Sequence, residues 1–185
     1  GFGRMGRMAL CASLEHADVR VAGINEPFIS LEEACRLFQR DAAARGRPEP
    51  VAVCPGGLRV GQREIAFYTQ TEPNRIDWVD CGAAYIVEAS GVFRTETAAS
   101  RHLAGGARRV VVTAPMRDGS PMLVMGVNEQ TYHRRMRVVS GGSSAVNCLA
   151  VSAQVLQEHF GIQEGLATLL YAAAQPGPIP AQWAA

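Results

Sequence analysis

Apolar positions repeat at helical spacing at the start of the chain. Met5, Met8, Ala9, Ala12 and Ser13 offer one face of a predicted helix over Arg4 to Glu15. A short strand is expected over Val19 to Ile24. It stops at Asn25-Glu26-Pro27, because proline restricts its predecessor and cannot extend a ladder. Ser30-Leu31-Glu32-Glu33 then opens a second helix with a capping box, and Leu31, Ala34, Cys35, Leu37 and Phe38 form its apolar face. The stretch Ala42 to Gly57 is rich in Ala, Arg, Pro and Gly and reads as an irregular connection. Leu58 to Val60 and Glu64 to Tyr68 alternate around Gly61-Gln62, as an antiparallel hairpin does.

The strongest strand patterns are Ala84 to Glu88 and Arg109 to Thr113. Between them, Thr95 to Leu103 reads as a helix ended by Gly105-Gly106, where glycine supplies the left-handed cap. Strand, helix and strand in that order, with near-continuous apolar strands, indicate parallel α/β units covered on both faces. Further strands are expected at Met122 to Val127 and Met136 to Ser140, a long helix over about Ala145 to His159, and the start of another strand at Gly165 to Tyr171. The tail AAAQPGPIPAQWAA shows little polarity pattern, so Trp183 is expected either docked on the body or exposed.

Composition narrows the class. The chain has 185 residues, 48% of them hydrophobic, which is enough for one sizeable core. Lys and Arg number 18 against 17 Asp and Glu, so no large field exists to gather nucleic acid or anionic lipid. The local cluster Arg134, Arg135 and Arg137 reads as a solvated edge. Five cysteines, at 11, 35, 54, 81 and 148, make neither a CxxC pair nor a metal-ligand spacing and read as reduced thiols. No apolar run approaches the roughly 20 residues of a membrane span, and no signal peptide is recognisable.

The candidate chemistry lies at the beginning. Gly1-Phe2-Gly3-Arg4-Met5-Gly6 is a G-x-G-x-x-G pattern leading into a helix: the first glycine permits a tight turn, the second close approach to a pyrophosphate, the third close helix packing. A helix amino end adds unpaired amides and a favourable dipole. Glu26 stands at the end of the next strand, where a carboxylate can accept from a ribose diol and disfavours a 2′-phosphate, so NAD is expected over NADP. Such a motif ordinarily follows a central strand. None precedes Gly1, so the sheet is expected to lack that strand, and the sequence is read as a piece of a longer chain.

GFGRMGR, VAGINEPFISLE (21 to 32), YIVEASGVF (85 to 93), HLAGGARRVVVTAP (102 to 115), PMLVMGVNEQTY (121 to 132) and NCLA (147 to 150) together resemble the glyceraldehyde-3-phosphate dehydrogenase family, in order, to about Leu170. The resemblance implies a doubly wound, Rossmann-type α/β fold with its first strand missing. It implies an NAD-binding domain over 1–143, a remnant of the catalytic domain over 144–171, and a Pro/Ala-rich tail over 172–185. It puts the backbone of Arg4 and Met5 at the pyrophosphate and Asn25 and Glu26 at the adenosine ribose. Gln70 falls near adenine, Ser90 and Gly91 in the cofactor groove, and Thr113 near the nicotinamide.

The same resemblance implies a depleted reaction centre. The family's nucleophilic cysteine falls on Ser144, and its threonine neighbour falls on Ala145. A thiol with a pKa near 8.5 yields thiolate at neutral pH, whereas a serine hydroxyl needs an organised base. Cys148 is one helical turn on, about 6 Å, and is expected to pack in the core. The family's histidine base falls on Tyr171, a poor base with a pKa near 10. Neither Glu88 nor Asp118 has a partner evident from sequence, and His159 reads as a surface or capping side chain.

The favoured reading is therefore an NAD-binding protein of this family without turnover, in the cytoplasm. Association with intact dehydrogenase subunits is expected, and neither nucleic acid nor membrane is an expected partner. Two alternatives stand beside it: an active glyceraldehyde-3-phosphate dehydrogenase of glycolysis, and a non-enzymatic interaction protein from a truncated duplicate.

Overall fold

A computed structural model describes residues 1–46 and 50–170. Helix α1 (Arg4–Ser13) leads to strand β1 (Gly23–Asn25) and helix α2 (Leu31–Ala44). Strands β2 (Val51–Cys54), β3 (Gly57–Val60) and β4 (Arg63–Tyr68) follow, then β5 (Tyr85–Glu88). Two short helices, α3 (Glu96–Ala99) and α4 (Arg101–Ala104), precede β6 (Arg109–Val112), β7 (Val138–Ser140) and the long helix α5 (Ser144–Phe160).

The strands form two sheets, in the orders β1-β4-β3-β2 and β5-β6-β7. The second is parallel throughout, and β1 pairs parallel with β4. The expected hairpin is present as β3 and β4, with Val60 opposite Arg63. Among the described residues β1 and β5 are each paired on one side only. Both line a cleft of about 850 Å³ that also takes in Gly1, Phe2 and Gly3. This is the α/β arrangement with parallel pairing expected of a doubly wound, Rossmann-type domain.

Each sheet has its own core. Phe2, Leu10, Ile24, Ala34, Phe38, Leu58 and Ile65 pack under the first, where the Phe2 and Phe38 rings lie 6.0 Å apart. Ile76, Trp78, Ile86, Ala99, Val110 and Val112 pack under the second. Helix α1 differs from expectation in its face. It buries Arg7, Leu10, Cys11 and Ser13, whereas Met5 and Met8 are exposed. Arg7 explains the rotation: its guanidinium reaches Asp41 of α2 at 2.7 Å and the carbonyl of Phe2 at 3.0 Å, so a cation goes inward with its partners.

Other differences are local. The stretch expected to be irregular holds the end of α2 and strand β2, whose partner residues on β3 run from Val51–Val60 to Cys54–Gly57. The expected helix over Thr95 to Leu103 is broken at Ser100 into two turns, each too short to stand without packing. Of Met122 to Val127 only Met122 bridges to a strand, at Ser140. Asn128 takes this segment into turns instead, its side chain bonding the amide of Val124 and the carbonyl of Met122. Residues 165–170 form no strand, and Tyr171 and Trp183 lie outside the described residues. Ser30 caps α2 by accepting the Glu33 amide at 3.2 Å, but the Glu33 carboxylate turns to Arg36 and leaves the capping box half made.

Candidate functional site

The glycine loop sits between the carboxyl ends of β1 and β5. A Cβ on Gly6 would collide with the carbonyl oxygen of Gly1, and one on Gly1 would lie 2.9 Å from Cα of Ser90. These two glycines are required by packing. Gly3 is different, because a Cβ there meets nothing within 4 Å. It is the N-cap of α1, in extended conformation, and no side chain caps the first amides of α1. Arg4 and Met5, in that first turn, are exposed.

Glu26 is buried, and both its carboxylate oxygens take backbone amides, Phe2 at 2.8 Å and Phe28 at 3.0 Å. It thereby ties the glycine loop to the end of β1. Each oxygen keeps a second lone pair for a ligand hydroxyl. Asn25 and Gln70 were expected on the same side of a bound dinucleotide, and they meet directly. The Asn25 amide donates to the Gln70 carbonyl at 2.9 Å and its oxygen accepts the Gln70 amide at 2.8 Å. The Gln70 side chain is left out of that pair.

Ser90 and Gly91 form the turn after β5, with Gly91 at a φ of +75° that favours glycine. Glu88 holds this turn: one carboxylate oxygen accepts the Ser90 amide at 2.7 Å and also the Ser90 hydroxyl. Its other oxygen meets Nε2 of His102 at 3.0 Å. Glu88 was expected to have no partner, so this is a correction. The partner comes from α4, fourteen residues on, at a separation that no local pattern reveals. Burial pushes the Glu88 carboxyl up, while the hydrogen bonds from His102 and Ser90 pull it down, and it lies below the usual range. Asp118 also has partners, accepting from the Ser120 hydroxyl at 2.6 Å and the Glu96 amide at 2.6 Å. Thr113 donates its hydroxyl to the Glu88 carbonyl at 3.2 Å and so faces the same strand end.

Ser144, where the resemblance put the nucleophile, is the first residue of α5. Ser143 caps that helix by accepting the Val146 amide at 3.2 Å, and Ser144 is exposed. Among the described residues no histidine or carboxylate hydrogen-bonds Ser144. Asn147, which the sequence reading did not single out, donates to the carbonyls of Gly141 at 2.7 Å and Ser143 at 2.9 Å and fixes the loop before Ser144. Cys148 is exposed, not packed in the core, because α5 buries none of its residues against the described part of the chain. His159 is exposed near the end of α5 and bonds the Val155 carbonyl of its own helix at 2.9 Å, a surface position.

Residues 1–96 match the family described as "Glyceraldehyde 3-phosphate dehydrogenase, NAD binding domain". The chain belongs to the glyceraldehyde-3-phosphate dehydrogenase family. It is 43% identical to glyceraldehyde-3-phosphate dehydrogenase of Podospora anserina over 188 aligned positions, which cover 99% of this chain and 56% of the relative. Glyceraldehyde-3-phosphate dehydrogenase 1 of Agaricus bisporus is 43% identical over 172 positions, 93% of this chain and 51% of the relative. The chain thus spans about half the length of the curated relatives it matches. NAD is the cofactor of the matched domain family, and the loop, the uncapped helix amides and the open space at Gly3 are compatible with it. Among the described residues no helix is long and apolar enough to cross a membrane.

Proposed function

We propose that this chain is a glyceraldehyde-3-phosphate dehydrogenase-like NAD-binding module of the cytoplasm that does not turn over aldehyde. In this reading the amides at the start of α1, including Arg4 and Met5, hold the pyrophosphate, with Gly1, Gly3 and Gly6 giving it access. Asn25, Glu26 and Gln70 hold the adenosine side, while Ser90, Gly91 and Thr113 line the nicotinamide side. NAD, when bound, supplies a hydride acceptor.

The observation that carries the loss of turnover is Ser144 at the start of α5, with no base or carboxylate bonded to it among the described residues. An unactivated serine hydroxyl is a weak nucleophile at neutral pH, and its ester is a poorer acyl donor than a thioester. Glyceraldehyde 3-phosphate, NAD and inorganic phosphate, incubated with folded protein, should give no NADH above the rate of the Ser144→Ala variant. Production of NADH that this substitution abolishes would establish the active-enzyme reading instead.

One observation favours a second role, association with intact dehydrogenase subunits. Helix α5 leaves Leu149, Val151, Val155, Leu156 and Phe160 exposed, the last at 81%. An apolar row of this size calls for cover, either by polypeptide of the family's other half or by a partner subunit. Co-expression with an intact relative, followed by pull-down of the tagged chain, tests this; recovery of the chain alone speaks against it.

A further inference from the structure

The carboxylate that holds the Ser90 turn is the middle of a buried chain of polar groups. Trp78, His102 and Glu88 are 4%, 4% and 3% exposed. The indole Nε1–H of Trp78 donates to Nδ1 of His102 at 3.2 Å, and Nε2 of His102 meets Glu88 at 3.0 Å. Phe93 sets its ring edge against the imidazole, with centroids 6.2 Å apart, and Tyr68 packs edge-on against Trp78 at 6.0 Å.

The donors and acceptors fix the proton. Indole nitrogen is a donor only, so Nδ1 of His102 must be the acceptor and carry no hydrogen. A neutral imidazole then has its single proton on Nε2, directed at Glu88. A protonated ring would set Nδ1–H against the indole N–H, two donors with no acceptor between them. One oxygen of Glu88 is committed to His102, which turns the other toward the amide and hydroxyl of Ser90.

We propose that His102 is a positioning residue for the cofactor groove: held by Trp78 as the Nε2–H tautomer, it orients the Glu88 carboxylate that in turn fixes the Ser90–Gly91 turn. Its effect on NAD rests on the reading above that this turn lines the groove, whereas the tautomer and the state of the turn do not.

The test begins on the unaltered protein. Nitrogen-15 correlation spectra at neutral pH should show His102 with a bare Nδ1 and a protonated Nε2, and the Ser90 amide shifted downfield by its carboxylate bond. The packed but donor-less His102→Leu should lose that Ser90 shift and bind NAD about tenfold more weakly. His102→Gln, which can still present an N–H to Glu88, should recover both. Trp78→Phe keeps an aromatic core residue and removes only the indole donor; it should mix the two tautomers and broaden the Ser90 amide. An Nδ1–H tautomer in the unaltered protein, or a Ser90 amide unmoved in whichever of His102→Leu and Trp78→Phe folds, would overturn the proposal. Should NAD fail to bind the unaltered protein, the proposed function falls, while the tautomer and the Ser90 amide still decide the positioning role.

Discussion

The carboxylate of Glu26 accepts the amide of Phe2 at 2.8 Å, joining the end of β1 to the first turn of the glycine loop across 24 residues. The second oxygen holds the Phe28 amide at 3.0 Å. Glu26→Ala therefore leaves two amides without their partner. It is expected to lower unfolding free energy by about 2 kcal/mol, read by urea denaturation. Glu26→Gln keeps one acceptor oxygen and should lose about half as much. A Glu26→Ala protein as stable as the parent would show that the loop is held by other means.

Two glycines of one loop separate folding from binding. Gly3→Ala introduces a methyl that meets no protein atom within 4 Å, so stability should fall only by the N-cap preference for glycine over alanine, about 1 kcal/mol or less. NAD affinity should fall, because the methyl enters the space left for phosphate. Gly6→Ala collides with backbone at Gly1 and should cost about 1–3 kcal/mol of stability, whether or not NAD is present. Equal effects of the two substitutions on melting temperature would contradict this division.

Acid should weaken the fold through two carboxylates. Burial pushes Asp41 up, but the hydrogen bond and charge of Arg7 hold it below its usual value; Glu88 is depressed as described above. A group whose folded pKa lies below its unfolded value contributes its stability above the unfolded pKa. That contribution is lost as pH falls through the folded one. Melting temperature should thus be level near neutrality and drop below about pH 4, with a shallower drop in Asp41→Asn. An acid limb unchanged by Asp41→Asn would remove the Arg7–Asp41 pair from the explanation.

The place of Ser144 can be probed by chemistry it lacks. At the first position of α5, Ser144→Cys should carry a thiol acidified by the helix amino end, as exposed cysteines at such positions are. Iodoacetamide should label it faster than Cys148, which lies a turn further along the same exposed helix. Labelling of Cys148 first would place the helix start elsewhere.

Much of the local structure around the glycine loop was legible before the fold was known, because its signals are short in sequence. The glycine pattern and the Ser30 cap each act within a few residues of where they stand, and Glu26 was marked by its strand end, though its bond to Phe2 spans 24 residues. The pairing of Asn25 with Gln70 was half visible: the resemblance put both residues along one ligand, while their mutual hydrogen bonds depend on β1 lying parallel to β4. Hidden from pattern were contacts whose partners are distant and of unlike type. Arg7 sits on an apolar face because Asp41 waits 34 residues away, and Glu88 found His102 on another element. Strand β2 was missed because Pro and Gly flank a run of only four residues. Cys148 was misplaced because core packing was assumed for a helix that buries none of its residues here.

Calorimetric titration of NAD into the folded chain tests the central claim most directly. Saturable binding at a single site, tighter than about 1 mM and weakened by Gly3→Ala, is the result expected. A well-folded protein that gives no saturable heat at millimolar NAD would contradict it.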